Sequence, residues 1–311
     1  MAWVDLKTDD ACQMTSVLRH LRKHRPHWLI DYQADAGRHS AAIGLVRNAF
    51  TYEDAPPCSN YDREIDIVLY DRFAGWPDRP NSRVTSCLHE RFGMAWDREC
   101  AAYEVNVTPD ARTHASNFLC YVDGRMFLTG FRSADFPKSK VVCIHYQGDS
   151  AKDRKDLTHE QAAEICAEVI RLGRVPLLLD WRNTSPLPDQ KTVHTTGRLS
   201  TSAAWGGDAQ MNCAIISQCE AFVGIDSGPG KCASATTTPA LICWTKQHPA
   251  LYHDPCPHTT HLVPHDHRQN ELLKGNAAVA DFFEREYAWR SYVSEKDLVW
   301  NVKDWLGETL K

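Results

Sequence analysis

Residues 220–243 read EAFVGIDSGPGKCASATTTPALIC. An apolar run ending at Ile225 meets an acid, Asp226, then the bend Ser227-Gly228-Pro229-Gly230, then Lys231 and small residues that can open a helix. At the end of a buried parallel strand, this is a composition suited to anion binding. Small residues let the backbone approach a diphosphate, and the helix that follows offers free N–H groups and a positive dipole end. Asp226 cannot itself welcome phosphate; it either accepts backbone N–H bonds to hold the turn or bonds sugar hydroxyls. A helix N-cap and tight turn with no ligand is the other reading of the same residues.

The segment 248–267, HPALYHDPCPHTTHLVPHDH, carries His248, His253, His258, His261, His265, His267 and Cys256. Its C-P-H and H-D-H spacings form no familiar closed zinc set. The expectation is a loop at the edge of a cleft, using histidine for polar contacts, with no metal site assigned.

Positioning these residues requires a sheet, and strand and helix patterns do alternate along the chain. Ala2–Leu6, Trp28–Tyr32 and Ile65–Tyr70 read as strands, with helical spacing over Thr15–His24, Ala36–Arg47 and Arg83–Phe92. A second cycle begins near Lys140. It has strands at Val141–His145, Val175–Leu179, Ala221–Ile225 and Ala240–Trp244, and helices at Thr158–Leu172, at Gln210–Gln218 and from about Lys231. Strands alternating with helices imply βαβ units and a parallel sheet. The two runs part near Phe136-Pro137, which suggests two Rossmann-like domains, and Glu295–Leu310 forms a final amphipathic helix with Trp300 and Trp305.

The chain has 311 residues, 43% hydrophobic and 24% charged, with a formal net charge of -5. That length supports one large or two ordinary domains, and the acidic balance argues against non-specific nucleic-acid binding. No apolar run approaches the roughly 20 residues of a membrane span. The N-terminal MAWVDLKTDDACQ lacks the cationic and apolar regions of a signal peptide. Twelve scattered cysteines with no C-x-x-C suit free thiols in a reducing cytosol. The expectation is a soluble cytoplasmic protein without a transmembrane segment.

Several stretches together resemble glycosyltransferase family 9, the heptosyltransferase-type enzymes. FVGIDSGPGKCASATTTPALICW is similar to that family's strand, D-[ST]-G-P turn, small-residue helix and following strand. VVCIHYQGDSAKDRKDLTHEQAAEICAEVIRLGRVPLLL resembles its strand, anion-binding loop, lysine and helix opening. LKTDDACQMTSVLRHLRKHRPHWLID resembles the family's N-terminal opening, and HERFGMAW its helix and glycine turn late in the first domain. These stretches lie in the family's order over most of the chain. Three departures stand out. Asp9 replaces a glycine, Lys231 or Cys232 falls where a histidine is usual, and CWTKQHP replaces G-P-T-D-P. They bear on the sugar and base contacts more than on the fold.

The resemblance implies a GT-B fold, α/β with two Rossmann-like domains and parallel sheets facing across a cleft. Residues 1–136 would bind the acceptor, 137–294 the nucleotide sugar, and 295–311 would form a helix packing back on the N-terminal domain. It implies an inverting glycosyltransferase using an ADP-heptose-type donor and a glycan, lipopolysaccharide core or protein hydroxyl as acceptor, at a site open to peripheral contact with the inner membrane. Asp10 aligns with the catalytic base, on a loop after the first strand, with Asp9 and Thr15 on the acceptor side. Lys155 aligns with the phosphate-contacting lysine, with Lys152 as its alternate, and Glu160 with the helix-opening acid. Asp226, Ser227, Gly228, Pro229, Gly230 and Lys231 would complete the donor loop. LDWRN ends a strand where the base and ribose would lie, so Trp181 either stacks on the base or is an ordinary buried residue. The resemblance implies cationic and helix-end contacts in place of a metal or other cofactor, and no D-x-D motif stands at a matching place. A nucleotide-sugar 2-epimerase on the same architecture and a non-catalytic nucleotide-sugar-binding scaffold remain the alternatives.

Overall fold

A computed structural model describes residues 8–34, 37–62, 65, 69, 82–124, 139–148, 152–187, 193–199 and 208–311. The N-terminal half holds α1 (Thr8–His24), β1 (Asp31–Gln33), β2 (Asn48–Phe50), α2 (Arg83–Phe92) and α3 (Pro109–Val122). The second half opens with β3 (Ser139–His145), α4 (Lys152–Lys155), α5 (His159–Arg171), β4 (Val175–Leu178) and β5 (His194–Thr195). It continues through α6 (Ala209–Ile216), β6 (Cys219–Ile225), α7 (Gly228–Ser234), β7 (Ala240–Cys243) and α8 (Pro249–Tyr252). It ends with β8 (Thr259–Pro264), α9 (Ala277–Glu286), β9 (Ala288–Tyr292) and α10 (Glu295–Thr309).

Among the described residues two separate parallel sheets result. β1 and β2 pair in the first half, while the second half builds a seven-stranded sheet in the order β5-β4-β3-β6-β7-β8-β9. Successive side chains on a strand point to opposite faces, and this alternation divides the core cleanly. Val141, Cys143, Phe222, Ala240 and Ile242 enter one buried cluster; Val142, Ile144, Ala221, Val223, Leu241 and Cys243 enter the other. Helices α6 to α9 cover the first face, and α5 and α10 the second. Both faces are covered, so the strands read as near-continuous apolar runs.

The halves are firmly joined. α1 has two buried faces: Ala11 and Cys12 join the cluster of the large sheet, while Met14, Val17, Leu18 and Leu21 pack with Tyr32, Ala42, Leu45, Val84 and Leu88 in the core of the N-terminal half. α3 likewise contributes Ala111, Ala115, Phe118 and Leu119 to the large-sheet cluster. The Gln210 carboxamide donates to Ser40 O and Asn106 O at 2.9 and 2.8 Å.

Several sequence expectations are corrected. Ala36–Arg47 is not a helix. It holds only a short 3-10 turn, His39–Ala42, because Gly37 and Gly44 take left-handed φ values of 83° and 79° that interrupt any regular run. Trp28–Tyr32 narrows to Asp31–Gln33. Ala2–Leu6 lies outside the described residues, and of Ile65–Tyr70 only Ile65 and Leu69 are described. Among the described residues, α10 packs on the large sheet of the second half rather than back on the N-terminal half. Its stripe Leu298, Val299, Val302, Trp305 and Leu306 is buried on the second face of the large sheet, and Lys303 pairs with Glu164 of α5 at 2.7 Å. Trp305 faces that core, whereas Trp300, on the opposite side of the helix, is 64% exposed. No helix among the described residues is long and apolar enough to cross a membrane.

Candidate functional site

The order of the large sheet locates a site without reference to any ligand. From β3 the chain moves outward through β4 and β5, returns to place β6 on the other side of β3, then continues outward to β9. The reversal falls between β3 and β6, and ligands of open parallel sheets bind beyond the carboxyl ends of the strands at such a point. The loops that leave β3 and β6 carry Lys155 and the bend Asp226–Gly230.

After β3 the backbone turns through Gly148, whose N–H donates to Asp156 Oδ1 at 2.8 Å, and Leu157 N–H donates to Tyr146 O at 3.0 Å. This folds α4 back over the strand end. Lys155 is only 7% exposed, and a Cβ at position 148 would stand 2.8 Å from its Cε, so glycine makes room for the lysine chain. Among the described residues, no carboxylate forms an ion pair with Lys155. Lys152, one turn earlier, is exposed. The same strand-end region opens α5, whose N-terminus is closed by a capping box between Thr158 and Gln161. Glu160 is not the box residue; it stays exposed, its carboxyl held below the usual range by backbone and Thr158 hydrogen bonds.

After β6 the bend is built from its own side chains. Ser227 caps α7, its Oγ accepting from Gly230 N–H at 3.4 Å and donating to Ile225 O at 3.2 Å. A Cβ on Gly230 would lie 2.6 Å from Ile225 O, so no side chain fits there. Gly228 and Pro229 form the first turn, where proline loses no hydrogen bond. Asp226 precedes the cap and Lys231 follows it by one turn; the ammonium donates to Asp226 Oδ1 at 2.6 Å, and both residues are buried. They are the charged counterpart of the contact across a helix start usually made by two apolar residues. The two were singled out separately for the donor loop, but they hold each other. Their spacing within D-S-G-P-G-K was the available signal.

The loop after β7 braces α4: Thr245 Oγ and Lys246 N–H both donate to Arg154 O, at 2.5 and 3.1 Å. Beside this contact, at the carboxyl ends of β7 and β8, opens a pocket of about 570 Å³ lined by Arg154, Lys246, Asp266, His267, Asn270 and Glu271 among others. Apart from His267 of the histidine-rich segment, the sequence does not mark these polar wall residues, because they come together from α4 and the loops after β7 and β8.

The remaining candidates divide. Asp9 and Asp10 lie in the first turn of α1, which begins at Thr8, not on a loop before a helix at Thr15; their side chains are outside the described residues. That end of α1 abuts the donor-side helices: Cys12 Sγ lies 3.5 Å from Cys232 Sγ of α7, and Gln13 donates to Tyr252 O of α8 at 2.8 Å. Thr15 is buried, its Oγ donating to Cys12 O at 2.6 Å and accepting from Glu104 N–H at 3.0 Å, so it holds the backbone together. Trp181 is half-buried against the first-face core and its indole N–H donates to Asn212 of α6 at 3.0 Å. The histidine segment is corrected most. His248, His253, His261 and His267 are core residues packed among Trp244, Phe283 and Tyr287; only His258 and His265 are exposed. Burial lowers the His248 and His261 pKa to about 3. The described cysteine side chains are buried, and none of them forms a disulfide.

No protein-family model matches the chain, and no curated protein matches it in sequence. Solved structures match in shape. A glycosyl transferase family 9 protein from Veillonella parvula aligns with TM-score 0.64 at 14% identity, covering 99% of this chain and 96% of that one. The E. coli ADP-heptose lipopolysaccharide heptosyltransferase II aligns with TM-score 0.59 at 14% identity, covering 99% and 97%. E. coli heptosyltransferase WaaC with ADP aligns with TM-score 0.53 at 10% identity, covering 99% and 98%. Over nearly its whole length the chain therefore has the GT-B fold of the glycosyltransferase family 9 heptosyltransferases.

Proposed function

We propose that the protein is a glycosyltransferase that moves a heptose-like sugar from an ADP-type nucleotide donor to the hydroxyl of a glycan, lipopolysaccharide core or protein. The observation that carries this reading is Lys155: a buried lysine without a carboxylate partner among the described residues, at the switch point of a parallel sheet. A buried ammonium is costly to keep without a counter-charge, and a diphosphate supplies one. Heptosyltransferase WaaC with ADP shares this fold, which supports a nucleotide in this place.

In this reading the leaving diphosphate lies over the carboxyl ends of β3 and β6. Lys155 binds it as a point charge, and the bend contributes the backbone N–H groups of Ser227 and Gly228, since Pro229 has none and that of Gly230 donates to Ser227 Oγ. The Asp226–Lys231 pair holds that bend in one shape, so the donor groups need not reorganise during reaction. Trp181 lies on the nucleotide side of the same strand ends. The acceptor oxygen attacks the anomeric carbon from the opposite face as the bond to the diphosphate oxygen breaks, inverting the centre. The acceptor proton passes to Asp10, on the end of α1 that meets α7.

Calorimetry with ADP and a panel of nucleotide sugars, followed by assay of donor turnover, tests the reading. Binding of an ADP-linked sugar with slow release of ADP supports it. Isomerised sugar would indicate an epimerase, binding without turnover a scaffold, and no nucleotide binding at all would remove it.

A further inference from the structure

A cluster of potential ligands lies at the far end of α1, away from the candidate site. His24 in the last turn of α1 and Asp97 and Cys100 on the short 3-10 turn Arg98–Cys100 place one nitrogen, one carboxylate oxygen and one sulfur all within 4.8 Å of one another. His24 Nε2 is 2.9 Å from Asp97 Oδ2. Cys12 to His24 spans about 18 Å of helix at 1.5 Å per residue, so this cluster is independent of the proposed donor site.

The geometry points to a zinc site formed by His24, Asp97 and Cys100. A tetrahedral zinc with bonds of about 2.0–2.3 Å holds its ligand atoms roughly 3.3–3.8 Å apart, so these three need close only slightly around an ion. A nitrogen, oxygen and sulfur set is one zinc accepts, whereas magnesium and calcium favour oxygen alone. Glu99, on the same turn, or a water can supply the fourth position. Cys100 is 4% exposed, and among the described residues its sulfur makes no hydrogen bond. The frame is fixed beforehand by His20, one turn before His24. Its Nδ1 pairs with Ser16 O at 2.7 Å and its Nε2 accepts from Asp97 N–H at 2.8 Å, which pins the turn to α1.

The place already attracts positive charge. Lys23 Nζ sits 2.7 Å from Asp97 and 2.5 Å from Glu99. Lys23 is on a flexible, 42% exposed chain, so a divalent ion can displace its ammonium from Asp97 at small cost. A metal there would clip the 97–100 turn to the end of α1 and stabilise the N-terminal half by mass action. Binding requires loss of the Cys100 thiol proton to solvent and a neutral His24 ring.

The test uses the full chain stripped with chelator, then titrated with zinc or cobalt(II) alone. The expected result is one equivalent of zinc bound, a raised melting temperature, and a near-ultraviolet thiolate-to-cobalt band that disappears in Cys100→Ser. His24→Ala, at an exposed position that leaves folding intact, weakens binding by about tenfold or more, while Lys23→Ala tightens it by removing the competing ammonium. Absence of stoichiometric metal, survival of the cobalt band in Cys100→Ser, or unchanged affinity in both His24→Ala and Lys23→Ala would overturn the assignment.

Discussion

Lys231 Nζ lies 2.6 Å from Asp226 Oδ1 inside the protein, the lysine 1% exposed, and this pair spans the start of the helix that follows the central strand β6. Removing one partner leaves the other charge buried and uncompensated, which costs about 3–5 kcal/mol. Asp226→Ala and Lys231→Ala should therefore each destabilise the fold by roughly that amount. The double variant should lose less than the sum, because the partners share one interaction. Urea midpoints of the four proteins provide the check, and additive losses would mean that the pair is incidental.

A second prediction separates binding from stability at Lys155. Its ammonium has no carboxylate partner among the described residues, so Lys155→Ala should leave the urea midpoint nearly unchanged. Affinity for ADP should fall by about 1.5–3 kcal/mol, the worth of a hydrogen bond to a charged group. Gly148→Ala should weaken ADP as well, because its methyl would stand 2.8 Å from Lys155 Cε and push the chain aside. Lys152→Ala, at an exposed position one turn away, should have little effect. Calorimetry that ranks Lys152 above Lys155 would move the anion site to the outer face of α4.

These contrasts mark what was legible in the sequence. Alternation of side chains between two covered faces is local, so β3, β6 and β7 and their helices were readable from apolar runs alone. The choice between Lys152 and Lys155 was not, because it depends on Gly148 meeting the lysine chain across a folded loop. The end point of α10 was equally hidden: its stripe at Leu298, Val302 and Trp305 announces a buried face but not which surface covers it. Six histidines in one loop-like stretch suggested polar contacts, yet β8 runs through that stretch and carries His261 into the core beside Trp244. The Asp226–Lys231 pair was there to be read, as an acid before the cap and a lysine one turn after it.

The buried histidines give the protein a pH limit. His248 and His261 have pKa values lowered by burial to about 3, and burial lowers His267 as well, against about 6.5 when unfolded. The unfolded chain therefore binds more protons below pH 6.5. Stability is full above that pH and is lost as the pH falls toward 3, by up to about 1.4 kcal/mol per pH unit for each such group. Urea midpoints between pH 7 and 5 should drop steadily. His248→Asn, which can still accept from Ala250 N–H as His248 Nδ1 does at 3.2 Å, should reduce that slope. A flat profile over this range would mean these rings take up protons in the folded state.

The last prediction concerns proton transfer. Asp10 lies in the first turn of α1, two residues before Cys12, whose sulfur is 3.5 Å from Cys232 of α7. In the proposed reaction this carboxylate takes the acceptor proton, which the carboxamide of Asp10→Asn cannot do, although its shape and its fit to the positive helix end are nearly kept. Turnover should fall by about 10²–10⁴-fold, with ADP affinity and melting temperature unchanged. Asp9→Asn should lose far less. The helical register makes this comparison informative, since Asp9 falls one turn before Cys12 and Gln13, and Asp10 one turn before Gln13 and Met14. A large loss confined to Asp9→Asn would transfer the base to the neighbouring position, on the side of α1 that touches α7. Equal melting-temperature losses in both variants, with full turnover per folded molecule, would reduce the two acids to charges that complement the helix dipole.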